Sequence, residues 1–479
     1  MQTIIGSTNS KFLPVYKGLP VLGVIGDFRR DPLAFLERGW QKYGDHFVTN
    51  LGPRKMHVIS SPELAHEVLT IRKHVLRRSQ NFEGGTPLTY ILGLSLLTTD
   101  GESWLAKRRM MQPVFHRSNI AAMAGKMQSA GEAMLARWSQ LPSNRTVDLT
   151  KQMKLVTLDI INRTMFSTNV LPEVDRVGGV VDHAVDFIGA RAGNPFALPA
   201  RWTIIPSHKT FWDERAKLDE YLFRLIRERR LELARGERKG DLLEMLIEIS
   251  DADTGEMMND QQIRDEVAGI YGAGHETTAL ALTWTWHMLN KHPHTLAKLR
   301  AEVDALGHEV QASDLPNLPY TLAVLEESMR LFPPVPLTVR ASFESTEIGG
   351  LPVPQGELVI IAIRNLHRHP DYWPDPLQFQ PERFLPENKS SLNRNAYMPF
   401  LSGPHMCIGN YFALTEGQLL LAMMVQTFDI RETPLQSDEG KVAITMRPKY
   451  GLPVFITPRH STRKVGYRVP HRRSSPVDN

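Results

Sequence analysis

Cysteine is almost absent: the 479 residues contain one, Cys407. No disulfide can form within the chain, so a small cross-linked extracellular scaffold is excluded and a reducing, cytoplasmic setting is expected. An excess of one charge sign is also missing. The 56 Lys and Arg against 52 Asp and Glu leave a net charge of +4. No basic stripe interleaved with aromatics accompanies that balance, so nucleic acid is not an expected partner. Long apolar runs are lacking too. No stretch approaches the ~20 residues of a membrane span, and the start of the chain has no basic cap followed by an apolar core, as a secretory signal would. No stretch of about 20–50 residues recurs, which excludes solenoids and propellers.

What is present is ordinary globular material, 42% hydrophobic and 23% charged, enough for a sizeable core. Short β-branched runs lie at Asp45 to Ser60, Glu357 to Ala362 and Pro453 to Thr457. Between the first two, apolar residues recur at helical spacing, as in Asn119 to Leu141, Lys151 to Phe166 and Glu214 to Arg235. The string GNPFALPARWTIIPSH breaks this pattern and reads as a long loop. The expectation is one mainly α domain with a small, mostly antiparallel sheet assembled from distant strands. It spans 1–479, with a core at roughly 17–458. The stretch 459–479 is basic, Ser- and Pro-rich and poor in apolar residues, and reads as a frayed tail or a docking arm.

The lone cysteine sits in FLSGPHMCIGNYFALTEGQ. Phe400, Gly403 and Gly409 accompany Cys407 in the order Phe-x-x-Gly-x-x-x-Cys-x-Gly, an arrangement that this composition would place around a given Cys by chance roughly 2 times in 10,000. An isolated Cys is ordinarily an inert core residue. An iron-bound thiolate instead needs backbone N–H groups near the sulfur, and glycines permit that approach. An apolar helix pattern follows, through Phe412, Leu414 and Leu419 to Met424. Its positive N-terminal end would favour an anionic sulfur.

A second string, IRDEVAGIYGAGHETTALALTWTWHML, is apolar on most sides yet carries Gly269, Gly272 and Gly274. Each costs a helix interior about 1 kcal/mol relative to Ala. Two readings stand. The glycines permit close helix packing, or the backbone ladder opens there to admit a small ligand beside Glu276 and Thr277, which would relay protons. A third string, LEESMRLFPP, places Glu327 and Arg330 three apart on one helix face, and PERF offers Arg383 as a further member of a structural charge cluster.

Taken together, these strings resemble the cytochrome P-450 superfamily of haem-thiolate monooxygenases. The Ala-Gly-x-Glu-Thr-Thr helix, the Glu-x-x-Arg helix, the Pro-Glu-Arg-Phe segment and the cysteine loop occur in the family's order. Trp104 and Arg108 in GESWLAKRRMMQPVF resemble its Trp-x-x-x-Arg helix. The likeness runs from about Lys17 to Leu452. It implies a helical prism with a small β-rich region and haem b (iron protoporphyrin IX) as cofactor. Cys407 would be the axial ligand of the haem iron. Thr277 and Glu276 would deliver protons to bound oxygen, and Trp104, Arg108, Arg340 and His405 would hold the propionates. Phe400 and Gly409 would complete the cofactor loop, and Glu327, Arg330 and Arg383 would form a structural triad. One departure stands out: His405 occupies a position where the family often has Arg, and its charge depends on pH.

The resemblance further implies insertion of one atom of dioxygen into a C–H bond of a hydrophobic molecule of the fatty acid, terpenoid, steroid or polyketide class. The pocket wall would come from Phe82 to Leu97, Ala268 to Thr277, Val335 to Val339 and Tyr450 to Leu452, with Leu88, Leu94, Leu97, Ala273, Leu337 and Leu452 as candidates. No fused flavin or iron–sulfur module is recognisable. A separate ferredoxin or flavodoxin with its NAD(P)H reductase is therefore the expected electron donor. Lys107, Arg109 and Arg117 are candidates for its docking patch, and the working unit is expected to be a monomer. The rival reading is a non-catalytic haem-thiolate gas or redox sensor, which would not need Glu276 and Thr277.

Overall fold

In the computed structural model, the residues described are 13–78, 88–142, 144–168, 180, 186–187, 202–250, 255–434 and 438–459. The loop string at 193–201, the wall segment at 82–87 and the tail beyond Arg459 lie outside them. The helices that build the site are α1 (Gly101–Met111), α2 (Arg117–Trp138), α3 (Leu149–Met165), α4 (Pro206–Ala234), α5 (Asp260–Lys291), α6 (Pro319–Leu331) and α7 (Asn410–Thr427).

Helix α5 is the axle of the fold. Its 32 residues span about 48 Å. A reciprocal cap starts it: Gln262 N–H donates to Asn259 Oδ1, and Asn259 N–H donates to Gln262 Oε1, both at 2.9 Å. Such a box satisfies two of the N–H groups that a helix start leaves unpaired. Its middle is buried on all sides, against α3, α4, α6 and α7. Pro319 opens α6, where a missing N–H costs nothing. Phe332 and the prolines after it close that helix.

The strands are β1 (His46–Leu51), β2 (Arg54–Ile59), β3 (Leu76–Arg78), β4 (Thr146–Asp148), β5 (Thr338–Ser342), β6 (Thr346–Ile348), β7 (Leu351–Val353), β8 (Leu358–Ile361), β9 (Phe428–Glu432), β10 (Gly440–Val442), β11 (Met446–Pro448) and β12 (Pro453–Pro458). The main sheet runs β1-β2-β8-β5-β3, antiparallel except for the β2–β8 pair. The mainly α expectation holds, and the sheet is assembled from distant segments as expected. One assignment is corrected. β12 does not join that sheet but lies between β4 and β9, with Val454 and Ile456 turned into the helical core.

Candidate active site

Four segments converge on one internal cavity of about 370 Å³. They are the stretch after Leu88, helix α1, the middle of α5 and the loop that leads into α7. Cys407 comes from that loop. Its N–H donates to Phe400 O at 2.9 Å, and Met406 N–H donates to Gly403 O at 3.1 Å. Gly403 lies at φ +71°, and a Cβ there would sit 2.3 Å from the Leu69 carbonyl oxygen. Gly409 differs from Gly403 in its backbone. It has φ −91° as the cap of α7, an ordinary value, and its N–H donates to the sulfur. The cysteine surface that is open faces the cavity. Burial pushes its thiol up, and the Gly409 N–H and the Arg108 guanidinium oppose that only in part.

Around the sulfur, Arg108 donates to Met406 O at 3.0 Å, and the rings of Trp104 and His405 lie 4.3 Å apart. Asp100 ties the cluster together. It caps α1 through Gly101 N–H at 2.8 Å, accepts from Arg78 N–H at 3.0 Å and faces His405 Nε2 at 3.3 Å. These contacts hold its carboxyl far below the usual range against the opposing effect of burial. Arg340 lies across from Arg78 in the β3–β5 register. Burial pushes both guanidiniums down to about 10, and Arg78, not Arg340, reaches the cavity wall. Sequence reasoning missed Arg78 and Asp100, because an Arg in a short strand and an Asp before a helix carry no signal of their own.

On α5 the helix is regular throughout. The Thr277 hydroxyl donates to Ala273 O at 2.7 Å, and the glycines serve close packing. A Cβ at Gly274 would lie 2.7 Å from Ile161 Cδ1, and one at Gly269 would lie 3.1 Å from Ser95 Cβ. Of the two readings, close packing is the one seen, and the ladder does not open. Glu276 is buried and lines the cavity. Its Oε1 lies 2.7 Å from Arg447 Nε and 3.1 Å from Lys154 Nζ, while Thr445 Oγ1 donates to Oε2 at 3.1 Å. Burial pushes the carboxyl up, but Arg447 and Lys154 outweigh it, and the net direction is down.

The structure brings Glu327, Arg330 and Arg383 together in one charge cluster. Arg330 donates twice to Glu327, at 2.7 and 2.8 Å, and Arg383 Nε lies 3.6 Å from the same carboxylate. Glu327 and Arg330 are fully buried. Arg330 also donates to the carbonyls of His367, Pro376 and Gln378, which pins the segment before the loop.

Of the expected wall residues, Leu88, Leu97 and Ala273 line the cavity. Three do not. Leu94 is exposed because its backbone, not its side chain, is held inward. Leu337 packs on the outer cluster around Phe35 and Phe47. Leu452 is buried at the β4 edge, where its N–H donates to Asp148 Oδ1 at 3.1 Å and its carbonyl accepts from Leu149 N–H at 2.8 Å. The turn between β10 and β11 supplies Ile444 and Thr445 in its place. Lys107 is also corrected. It is buried and ion-paired with Glu266 at 2.8 Å, so it cannot belong to a docking patch. Arg109 and Arg117 are exposed.

A helical body that buries one cysteine loop against a glycine-bearing helix defines the class of the protein, and comparison with known proteins makes it specific. The family model described as Cytochrome P450 matches residues 13–454, and the chain belongs to that family. Cyclooctatin synthase of Streptomyces melanosporofaciens is 35% identical over 87% of this chain and 89% of its own length. Cyclooctat-9-en-7-ol 5-monooxygenase of the same organism is 32% identical, with the same coverage. Pentalenene oxygenase of Streptomyces avermitilis is 28% identical over 89% of this chain and 92% of its own. The haem domain of cytochrome P450DA superposes with a TM-score of 0.85 at 26% identity, covering 93% of this chain and 97% of that one. The protein is accordingly a haem b monooxygenase that inserts one oxygen atom of dioxygen into a hydrophobic small molecule, with electrons from a redox partner. The sensor reading is not supported. No helix among the described residues is long and apolar enough to cross a membrane.

The side chains fit that cofactor. Arg78 and Arg340 share one carboxylate, Asp100, and Arg108 lies near Arg78, a positive excess that suits the two haem carboxylates. Buried His405 Nδ1 has no hydrogen-bond partner, while Nε2 is turned to Asp100. His405 therefore differs from an Arg at that position: burial lowers its affinity for a proton, and with Nε2–H given to Asp100 the neutral ring can only accept at Nδ1.

Proposed function

We propose that Cys407 is the axial thiolate of the haem iron and that the substrate is a cyclic, largely hydrocarbon molecule of the terpenoid class. The observation that carries this reading is the shared cavity: Cys407 and Thr277 line one chamber whose remaining wall is mostly apolar, with leucine, isoleucine and methionine the commonest residues. Such a wall offers contact area but few hydrogen bonds, which suits a hydrocarbon skeleton. The names of the Streptomyces relatives, which speak of pentalenene and cyclooctat-9-en-7-ol, support the same class.

When bound, the haem supplies the activation of dioxygen. The chain's own residues do the rest. The Gly409 N–H and Arg108 stabilise negative charge on the sulfur. Arg78, backed by Arg340 across the β3–β5 register, would hold the cofactor carboxylates together with Trp104 and Arg108 on the same cavity wall. Thr277 Oγ1 donates and accepts a proton at the cavity wall. Glu276, kept as a carboxylate by Arg447 and Lys154, takes protons from outside and passes them inward.

We further propose a ferredoxin or flavodoxin with its reductase as the electron source. It would dock on the exposed face carrying Leu105, Arg109, Arg117 and Met406 next to the cysteine loop. A monomer in the cytoplasm fits the single thiol, which is committed to the site.

The reduced protein with carbon monoxide is expected to show the red-shifted Soret band of a thiolate-bound haem, lost in Cys407→Ala. A band at the position of histidine-bound haem refutes the ligand assignment. A spin-state titration with terpene hydrocarbons, fatty acids and steroids then tests the substrate class, which fails if only the fatty acids or only the steroids shift the iron.

A further inference from the structure

Along the cavity stands a second pair of acids that the reaction does not use: Glu266 lines the wall and Asp265 precedes it on α5. Gly93–Thr99 is a segment without regular structure that places Ser95, Leu96 and Leu97 on the cavity. Its backbone N–H groups need partners, and two consecutive carboxylates on α5 provide them. Leu94 N–H donates to Asp265 Oδ2 at 2.8 Å, and Leu96 N–H donates to Glu266 Oε2 at 2.9 Å. Between them, Ser95 N–H donates to Thr98 Oγ1 at 2.8 Å. The opposite side of the segment is held by Arg78, which donates to the carbonyls of Leu96, Leu97 and Thr99 at 2.8, 3.1 and 3.1 Å.

The contact with α5 is tight. Gly93 has φ +55°, and a Cβ there would lie 2.1 Å from Asp265 Cγ. The acids are held in turn. Lys107 Nζ donates to Glu266 Oε1 at 2.8 Å, with both side chains buried. Gln261 and Arg264 donate to Asp265 Oδ1 at 2.9 and 3.0 Å. Along the helix, Glu266 stands 11 residues before Thr277, about 16 Å away, so neither acid reaches the reacting atoms.

We propose that Asp265 and Glu266 are positioning residues for substrate orientation: they latch Gly93–Thr99 to α5 by its alternate N–H groups and so fix the wall formed by Leu92, Leu96 and Leu97. Lys107 keeps the Glu266 acceptor in place. The latch thereby connects the substrate wall to Arg78 and through it to the cationic cluster near the cysteine loop. This rests on the cavity being the substrate chamber of the monooxygenase.

The test uses the haem-loaded protein and two iron-binding probes. Imidazole is too small to reach the wall, whereas 4-phenylimidazole extends towards it. In Glu266→Ala and Asp265→Ala, amide exchange within 93–99 is expected to speed up about tenfold, the loss of one hydrogen bond to a charged acceptor. Affinity for 4-phenylimidazole, read from the Soret shift, is expected to change about tenfold, while that for imidazole stays within about twofold. Unchanged exchange in both variants overturns the latch. Faster exchange with unchanged 4-phenylimidazole binding overturns its role in orientation. Failure of either azole to shift the Soret band in the parent protein would instead count against the haem site. Should the alanine variants not fold, Glu266→Gln with Lys107→Met keeps the acceptor without charge. It is compared with Glu266→Leu with Lys107→Met, which removes the acceptor, and the same differences are expected between the two. Their absence overturns the proposal.

Discussion

Two glycines of the cysteine motif look alike in the sequence and differ in what they do physically, so their alanine variants form a quantitative pair. At Gly403 the backbone is left-handed, φ +71°, and the missing Cβ would lie 2.3 Å from Leu69 O and 3.0 Å from Leu69 C. The conformation alone costs a residue with a side chain about 1–2 kcal/mol. Relieving a backbone clash of that depth adds about 1–3 kcal/mol, as overpacking in cores does. The expected loss for Gly403→Ala is therefore about 2–5 kcal/mol. At Gly409, φ is −91° and the nearest atom to an added Cβ is Phe115 Cε1 at 3.9 Å. The apoprotein should tolerate Gly409→Ala within about 0.5 kcal/mol. Urea unfolding of the apoproteins, followed by circular dichroism, measures both. Equal destabilisation by the two variants, or a Gly403→Ala midpoint matching the parent, would refute the assignment of strain to residue 403 and support to residue 409.

The remaining predictions concern protons. Burial and the Arg330 charge push His367 down to about 3, while its Nε2 accepts from Met398 N–H at 2.9 Å. Since the unfolded chain binds this proton near the ordinary value of 6.5, its contribution is fully present above that pH. It is lost at up to about 1.4 kcal/mol per pH unit as pH falls towards 3. His367→Gln should lower stability at neutral pH and flatten the acid limb of the stability curve, and an equally steep limb would refute the reading. In Thr277→Ala, reducing equivalents should leave as peroxide or water instead of product, measured by oxygen and peroxide balance; unchanged coupling removes Thr277 from proton delivery. Arg447→Gln removes the cation that most lowers the Glu276 carboxyl. The coupling efficiency of that variant should then fall off at a higher pH than in the parent, and an unmoved midpoint would take Glu276 out of the relay.

The sequence shows the parts of this site whose chemistry is local and hides those that depend on three-dimensional packing. Cys407 with its neighbours, and Glu327 with Arg330, lie within one loop or one helical turn, so their spacing already implies their contact. The same logic misjudges the charges. Lys107 sits between Ala106 and Arg108 in a basic helix and reads as surface, yet it is buried because Glu266, 159 residues further on, stands opposite. Nothing near Lys107 announces that partner. Asp100 fails the other way: nothing in the sequence singles it out. It caps α1, and its ties to Arg78 and His405 appear only when β3 and the cysteine loop meet it. The glycines of α5 show the limit of a propensity argument. Their cost in a helix interior demands a reason, and the sequence offered two. Packing against Ser95, Leu92 and Ile161 supplies one of them without breaking the helix. His405 is where the sequence and the structure inform each other most. The residue type alone left open a pH-dependent donor to the cofactor carboxylates, and the Asp100 contact turns that nitrogen away. The cation that lines the cavity there is Arg78, a residue with no motif at all, and on the proposed reading it would take up the cofactor carboxylates.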